Sequence, residues 1–254
     1  MIKTLGIQLY TIRDQFKNEE EVAVGLKRLK DMGYTDLHTA GFPIPVERFA
    51  ELVKENGLNV CGTHYDWNKM LNETDAAMED HKLLGTVNMG IGGMPGPART
   101  SLEELKKFIE DANKVAEKIS KYGFKFTYHN HSFEFRKIDG KKRIIDYLVE
   151  GLNPETCSFV LDTYWVQHGG GDPIQWIKKL EGRIDILHLK DMQMTKDGQK
   201  YTEICEGNMN FDGIMKAAEE IGVQYYVVEQ DICPGDPFDS AKLSSDNIHA
   251  RYMK

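Results

Sequence analysis

Cysteine is scarce in this 254-residue sequence. There are four, Cys61, Cys157, Cys205 and Cys233, far apart and with no CxxC pair. That spacing excludes a disulfide framework and a zinc-finger pattern. Cys61 and Cys157 fall within strand-like runs, where a buried, reduced thiol is expected. No long apolar run and no apolar leader occur, and Met1 leads almost directly into the first strand-like run. The expectation is a protein with no membrane partner, in a reducing cytoplasm. Excess positive charge is missing as well: 32 basic residues against 40 acidic ones leave a net charge of −8. An acidic chain is a poor match for nucleic acid or an anionic membrane. A phosphate loop is also lacking. The glycine- and proline-rich stretch from Gly90 to Thr100 contains neither GxxxxGK[ST] nor GxGxxG, so an unphosphorylated substrate is expected.

What is present is alternation. Eight strand-like runs, near residues 3–8, 36–39, 59–64, 86–89, 125–129, 157–161, 184–189 and 224–229, are separated by helix-like stretches. Val22, Leu26, Leu29 and Met32, for example, form an apolar stripe at helical spacing. Glycines at 33, 57, 85, 123, 151, 182 and 222 mark the helix-to-strand turns, as expected where a helix ends in a left-handed residue. Parallel strands need such crossover helices. Eight units in a chain of this length predict a single-domain (β/α)8 barrel across residues 1–254, since such barrels typically take roughly 250 residues. No linker or low-complexity tract marks a second domain. A barrel of this kind places its active site at the C-terminal ends of the strands.

Those ends carry acids and histidines. Asp162 follows Phe159-Val160-Leu161, although an aspartate there is also a favoured helix cap. His188 interrupts an apolar strand and could equally be a satisfied core histidine. Glu229 closes Tyr-Tyr-Val-Val-Glu, where burial is costly without a partner. Strands six to eight are neighbours, so these three converge. Asp, His and Glu together suit one divalent ion of the Mn, Mg, Co or Zn kind. A fourth ligand is expected from strand five or its neighbours. The densest polar cluster, Tyr128-His129-Asn130-His131-Ser132-Phe133-Glu134, lies there. Alternation puts His129 and His131 on one face, with Glu134 able to curl over the mouth. His64 ends strand three and could reach the same place or remain a polar rim residue. Trp67, Phe42 and Trp165 could wall a sugar pocket or simply pack.

At these residues the chain resembles the xylose isomerase-like TIM-barrel superfamily, the group known as sugar phosphate isomerases/epimerases. The resemblance spans nearly the whole chain. It rests on Tyr-His-Asn-His-Ser-Phe-Glu-Phe (128–135), Leu-Asp-Thr-Tyr-Trp-Val (161–166), His-Leu-Lys-Asp (188–191), Glu-Gly-Asn-Met-Asn-Phe (206–211) and Val-Glu-Gln-Asp (228–231). It implies one divalent metal held by Glu, Asp, His and Glu from strands five to eight. The last three correspond to Asp162, His188 and Glu229. Many relatives carry the first glutamate within strand five, where this chain has Thr127, Tyr128 and His129. Glu134 is the expected substitute, with His131 as the alternative.

The resemblance implies a sugar substrate, and the chemistry follows from it. A cation bound to a carbonyl and the adjacent hydroxyl acidifies the C–H between them. A carboxylate takes that proton and an enediolate forms. Glu229 and Glu134 are expected to flank the substrate, each as ligand or base. His64, His129, His131, Lys190, Trp165 and Trp67 are the expected substrate contacts. A lyase or dehydratase acting on a keto-sugar or inosose would use the same first step. A non-catalytic sugar-binding barrel is the alternative of another class. Related barrels include apurinic-site endonucleases, which the charge and the eight histidines disfavour. A homodimer is possible.

Overall fold

The computed structural model describes residues 2–253. Seven parallel strands follow in chain order: β1 (Gly6–Gln8), β2 (Asp36–Ala40), β3 (Asn59–His64), β4 (Asn88–Ile91), β5 (Lys125–His129), β6 (Cys157–Asp162) and β7 (Ile184–Leu189). An antiparallel hairpin, β8 (Asp191–Thr195) and β9 (Gly198–Thr202), comes before the last barrel strand, β10 (Tyr225–Val228). The eight-stranded sheet has the order β3-β2-β1-β10-β7-β6-β5-β4. Its two end strands, β3 and β4, meet across a seam. Tyr65 donates its N–H to the Gly90 carbonyl at 2.7 Å, and the Asn88 side chain donates to the Cys61 carbonyl at 2.8 Å. An eight-stranded (β/α)8 barrel results, nearly closed by its ladders and joined at the seam by these bonds.

The outer layer comprises α1 (Glu19–Asp31), α2 (Val46–Glu55), α3 (Trp67–Asn72), α4 (Thr74–Leu84), α5 (Leu102–Ser120), α6 (Ile144–Gly151), α7 (Thr163–His168), α8 (Pro173–Lys179), α9 (Phe211–Glu220) and α10 (Pro237–Tyr252). Local chemistry starts them: the side chains of Asn18, Ser101, Asp172 and Asp236 each accept a first-turn N–H. Six of the seven glycines expected at helix ends have positive φ, between 62° and 93°, Gly151 being the exception. Gly151 instead fits close packing, since an added Cβ would press on Ile109 at 2.8 Å.

Two differences from the sequence reading matter at the mouth. A 3-10 segment, Leu9–Gln15, follows β1 directly. The β8–β9 hairpin rises after β7, where no strand pair was expected. Its turn is Lys196-Asp197, and Gly198 follows at φ 100° as the first residue of β9, so Asp197-Gly198 carries the Asp-Gly signal of a hairpin.

The barrel interior is layered. Cys61, Val160, Ile186 and Val227 form a small apolar plug distinct from the outer core. Two residues further along the strands, on the same inward face, stand Asp162, His188 and Glu229. Strand register holds them level, with Asp162 beside His188. The plug therefore forms the floor of the site and excludes water from below. All four cysteines are free, and Cys61 and Cys157 are buried as expected.

Candidate metal centre and active site

His129, Asp162, His188 and Glu229 each point one ligand atom into a common space, all within 4.8 Å of one another and all buried. His129 Nε2 lies 3.5 Å from Asp162 Oδ2 and 3.9 Å from Glu229 Oε2. His188 Nδ1 lies 3.9 Å from Asp162 Oδ2 and 2.9 Å from Glu229 Oε2. Ligands about 2.0–2.2 Å from a common ion stand about 2.8–3.6 Å apart at octahedral to tetrahedral angles. Two of these four edges, 2.9 and 3.5 Å, fall in that range and the two of 3.9 Å lie just above it. Asp162 Oδ2 and His129 Nε2 have no hydrogen-bond partner. Such orphaned buried atoms call for an occupant.

The surroundings aim these atoms. Asp162 is both cap and ligand candidate: Oδ1 accepts the Trp165 N–H at 2.8 Å, which fixes Oδ2 toward the cluster. The Asn130 side-chain oxygen accepts the Asp162 N–H at 3.0 Å. His129 Nδ1 donates to the Gly92 carbonyl at 3.3 Å, which leaves the Nε2 lone pair facing inward. Burial disfavours charge on His129, yet the Asp162 and Glu229 carboxylates prevail and raise its pKa. Burial likewise opposes ionisation of Glu229, but Lys190 and His188 hold it well below the usual carboxylate range. The site thus favours positive charge at its centre. The residues fit a divalent cation.

This arrangement corrects the expected ligand set. His129, not Glu134, joins Asp162, His188 and Glu229. β5 ends at His129, and the chain then turns through a 3-10 segment, Phe133–Phe135, that carries Glu134 away from the cluster. Glu134 is fully buried, accepting from Tyr128 Oη at 2.7 Å and the His131 N–H at 2.8 Å. Burial pushes its pKa up to about 7. It is not among the residues that line the cavity, where the base and ligand roles expected of it would act. His131 also lies outside the four-residue group. It lies beside Phe133 and Trp165 at the cavity wall, and burial lowers its pKa to about 2.

Above the cluster opens a cavity of about 530 Å³, within the range of small-ligand pockets. His64, His129, His131, Trp165, Lys190 and Glu229, all singled out in the sequence, line it. Asp231 and Arg13 were not singled out there. Lys190 is almost fully buried, 2.7 Å from Asp231, 3.2 Å from Glu229 and 3.6 Å from Asp162, with Trp165 beneath its ammonium at 4.8 Å. Burial works against its charge, but the three carboxylates raise its pKa and keep it protonated. Trp67 does not reach the cavity. It packs on Phe108 and Phe126 behind β5, and Phe42 packs on Phe49 and Tyr65. His38 and Gln8, also missed, are buried beside His188 and His64.

The sequence pattern of the family described as xylose isomerase-like TIM barrel matches residues 26–243. The chain belongs to that family. A sugar phosphate isomerase/epimerase from Parabacteroides distasonis superposes with a TM-score of 0.82 at 26% identity, over 99% of this chain and 95% of that one. An L-ribulose 3-epimerase shares the fold at a TM-score of 0.74 and 14% identity, over 98% and 94% of the two chains. Among curated relatives, an inosose dehydratase of Mesomycoplasma hyopneumoniae is 23% identical over 172 residues, 58% of this chain and 55% of its own length. One from Geobacillus kaustophilus is 23% identical over 168 residues, 59% and 54%. The chain spans about half the length of these curated relatives. No helix among the described residues is long and apolar enough to cross a membrane.

Proposed function

We propose that this protein is a divalent-metal-dependent isomerase or epimerase that removes the proton next to the carbonyl of an unphosphorylated sugar or keto-sugar. The observation that carries this reading is the four-donor cluster opening into the same cavity as a buried, charged lysine. His129, Asp162, His188 and Glu229 would hold the ion. When bound, it would supply a Lewis acid that acidifies the C–H beside a carbonyl.

The protein's own residues supply the rest. Glu229 is held ionised by Lys190 and His188, as a carboxylate base must be. The Lys190 ammonium would donate to an oxygen as negative charge develops there. His64 and His131 would bind hydroxyls, and the Trp165 ring would face a C–H surface of the sugar. The apolar plug excludes water from below, which strengthens each of these interactions.

A second reading, a lyase acting on a keto-sugar or inosose, has its own support. With His129 in the strand-five position, only Glu229 among the four donors combines a carboxylate with a place on the cavity wall, so a pair of opposed glutamates is missing. One base suffices to start an elimination. Asp231, its pKa raised by burial and its carboxylate accepting from Lys190 at 2.7 Å, would manage the departing hydroxyl's proton. Four free cysteines support a cytoplasmic location.

The test is proton NMR in D2O with Mn²⁺-loaded protein, dilute enough to limit broadening, and a panel of ketoses, aldoses, inososes and 3-keto-sugars. Metal-dependent deuterium at one carbon is expected, and the product separates isomerase, epimerase and lyase. No incorporation across the panel with the ion bound would point to a binding barrel.

A further inference from the structure

Two guanidinium groups, those of Arg13 and Arg99, line the cavity above the four donors. Elsewhere in this acidic chain Arg28, Arg48 and Arg143 pair with carboxylates. Among the described residues, neither cavity arginine has a carboxylate partner, and main-chain carbonyls hold both. Their surroundings differ. Arg13 donates to the Asp231 carbonyl at 3.0 Å, and the Asp231 carboxylate lies 2.7 Å from Lys190, which in turn is 3.2 Å from Glu229. That wall already carries both of the carboxylates that line the cavity. Arg99 bonds to neither of them.

Arg99 is held by its own loop. Nε and Nη2 donate to the Met94 carbonyl at 3.0 and 2.8 Å. The guanidinium lies over the Phe133 ring at 4.2 Å, and that ring stacks on His131. His131 in turn packs edge-on against His129, one of the four donors, with ring centroids 4.8 Å apart. A series of flat groups thus leads outward from the ion site to Arg99. Two glycines keep the space beside it open. An added Cβ at Gly92 would stand 3.1 Å from His64 Nδ1. One at Gly93, whose φ is 149°, would stand 3.4 Å from His131 and 3.8 Å from Arg99 Nη2. Buried, unpartnered nitrogens of His64 and His131 border the same space. One edge of the Arg99 fork is taken by Met94, whereas the other, Nη1 with the second Nη2 hydrogen, makes no bond to the described residues. Such an edge matches the two oxygens of a carboxylate.

We propose that the substrate carries a carboxylate that Arg99 binds, so that the protein acts on a sugar acid rather than a neutral sugar. The inference rests on the enolisation reading above and narrows its substrate class. The reacting carbonyl and hydroxyl would lie at the four donors, and the carboxylate at the far end, over Gly92 and Gly93. Arg99 is then a specificity-determining residue: it fixes a remote group and so orients the reacting carbon. A carboxylate fits better than a phosphate. Phosphate sites recruit several main-chain donors, whereas the Met94 N–H of this loop already donates to Tyr128 Oη at 3.3 Å.

The experiment is isothermal titration of Mn²⁺-loaded wild type, Arg99→Gln and Arg99→Lys with sugars that differ only at carbon 6. The probes are D-fructose, D-fructuronate and D-fructose 6-phosphate, and the matching D-tagatose, D-tagaturonate and D-tagatose 6-phosphate. Wild type is expected to bind a uronate about 10–100-fold more tightly than its parent ketose, the range for hydrogen bonds to a charged group. Arg99→Gln should remove most of that preference and leave ketose binding within about 3-fold. Arg99→Lys keeps the charge but not the fork and should retain part of it. A merely structural role for Arg99 would weaken ketose and uronate alike. Equal binding of uronate and ketose, no binding of either uronate, or an unchanged preference in folded Arg99→Gln would overturn the proposal. Arg99-dependent binding that is tightest for a 6-phosphate would overturn the carboxylate assignment. The wild-type ratio and Arg99→Lys decide the matter if Arg99→Gln fails to fold. Deuterium exchange without a uronate preference would keep the enolisation reading and remove this inference. An Arg99-dependent preference without exchange would keep the carboxylate site and remove the reaction.

Discussion

His129 Nε2 stands 3.5 Å from Asp162 Oδ2, and neither atom has a hydrogen-bond partner. These two residues end adjacent strands, and their free atoms close the open side of a cluster whose other members are His188 and Glu229. The strand-five ligand candidate is therefore a histidine. His129→Gln is expected to weaken Mn²⁺ binding by at least about 10–100-fold, the range already seen for outer-sphere partners. Glu134→Gln should leave it within about 3-fold. Titration of free Mn²⁺ by EPR distinguishes the two variants directly.

Why the sequence led to Glu134 is instructive. The apolar runs before Asp162, His188 and Glu229 made those three strand ends legible, because a polar residue after Val-Leu or Val-Val stands out. In strand five the run is Lys-Phe-Thr-Tyr-His, and the polar cluster continues past it to Glu134, so the strand end was blurred. Alternation held the answer: Thr127 and His129 share a face, and β5 stops at His129. His38 and Gln8 were hidden for a related reason. β1 reads Gly-Ile-Gln and β2 Asp-Leu-His-Thr-Ala, so neither offers an apolar run against which Gln8 or His38 stands out. The barrel order itself was legible because eight strand–helix units and their glycine turns admit few other closures.

The buried Glu134 carboxyl links stability to pH. Burial raises its folded-state pKa to about 7 from an ordinary value near 4.5. The folded protein then binds more protons than the unfolded chain between those two values, so this group's contribution is fully present below about pH 4.5. It is lost as pH rises through about 7. The expected change is about 3 kcal/mol, from the 1.36 kcal/mol per unit that links pKa to free energy. Urea unfolding at pH 5 and pH 8 should show this component in wild type, and Glu134→Gln should remove it.

Lys190 is enclosed by Glu229, Asp231 and Asp162. Lys190→Met leaves those carboxylates without their counter-ion. Removing one partner of a buried pair typically costs about 3–5 kcal/mol. That loss is expected in metal-free protein by urea unfolding. Saturating Mn²⁺ should restore more stability to the variant than it adds to wild type, because the added ion replaces the missing positive charge. Equal increments in both proteins would show that Lys190 and the ion site are not electrostatically linked.

The barrel seam depends on a residue without a side chain. A Cβ at Gly90 would run into Thr127 Oγ1 and the Thr63 carbonyl, at the point where Tyr65 bonds to the Gly90 carbonyl. Gly90→Ala should therefore destabilise the fold by about 1–3 kcal/mol, as overpacking does. Gly96→Ala, in open space, is its control. Thermal unfolding of the two variants measures the difference.

Diffraction from Mn²⁺-soaked crystals, recorded at the manganese absorption edge, tests the metal centre most directly. One anomalous peak is expected among His129 Nε2, Asp162 Oδ2, His188 Nδ1 and Glu229 Oε2, with Glu134 still bonded to Tyr128. A peak coordinated by Glu134, or no peak at the four-residue cluster at saturating Mn²⁺, would contradict it.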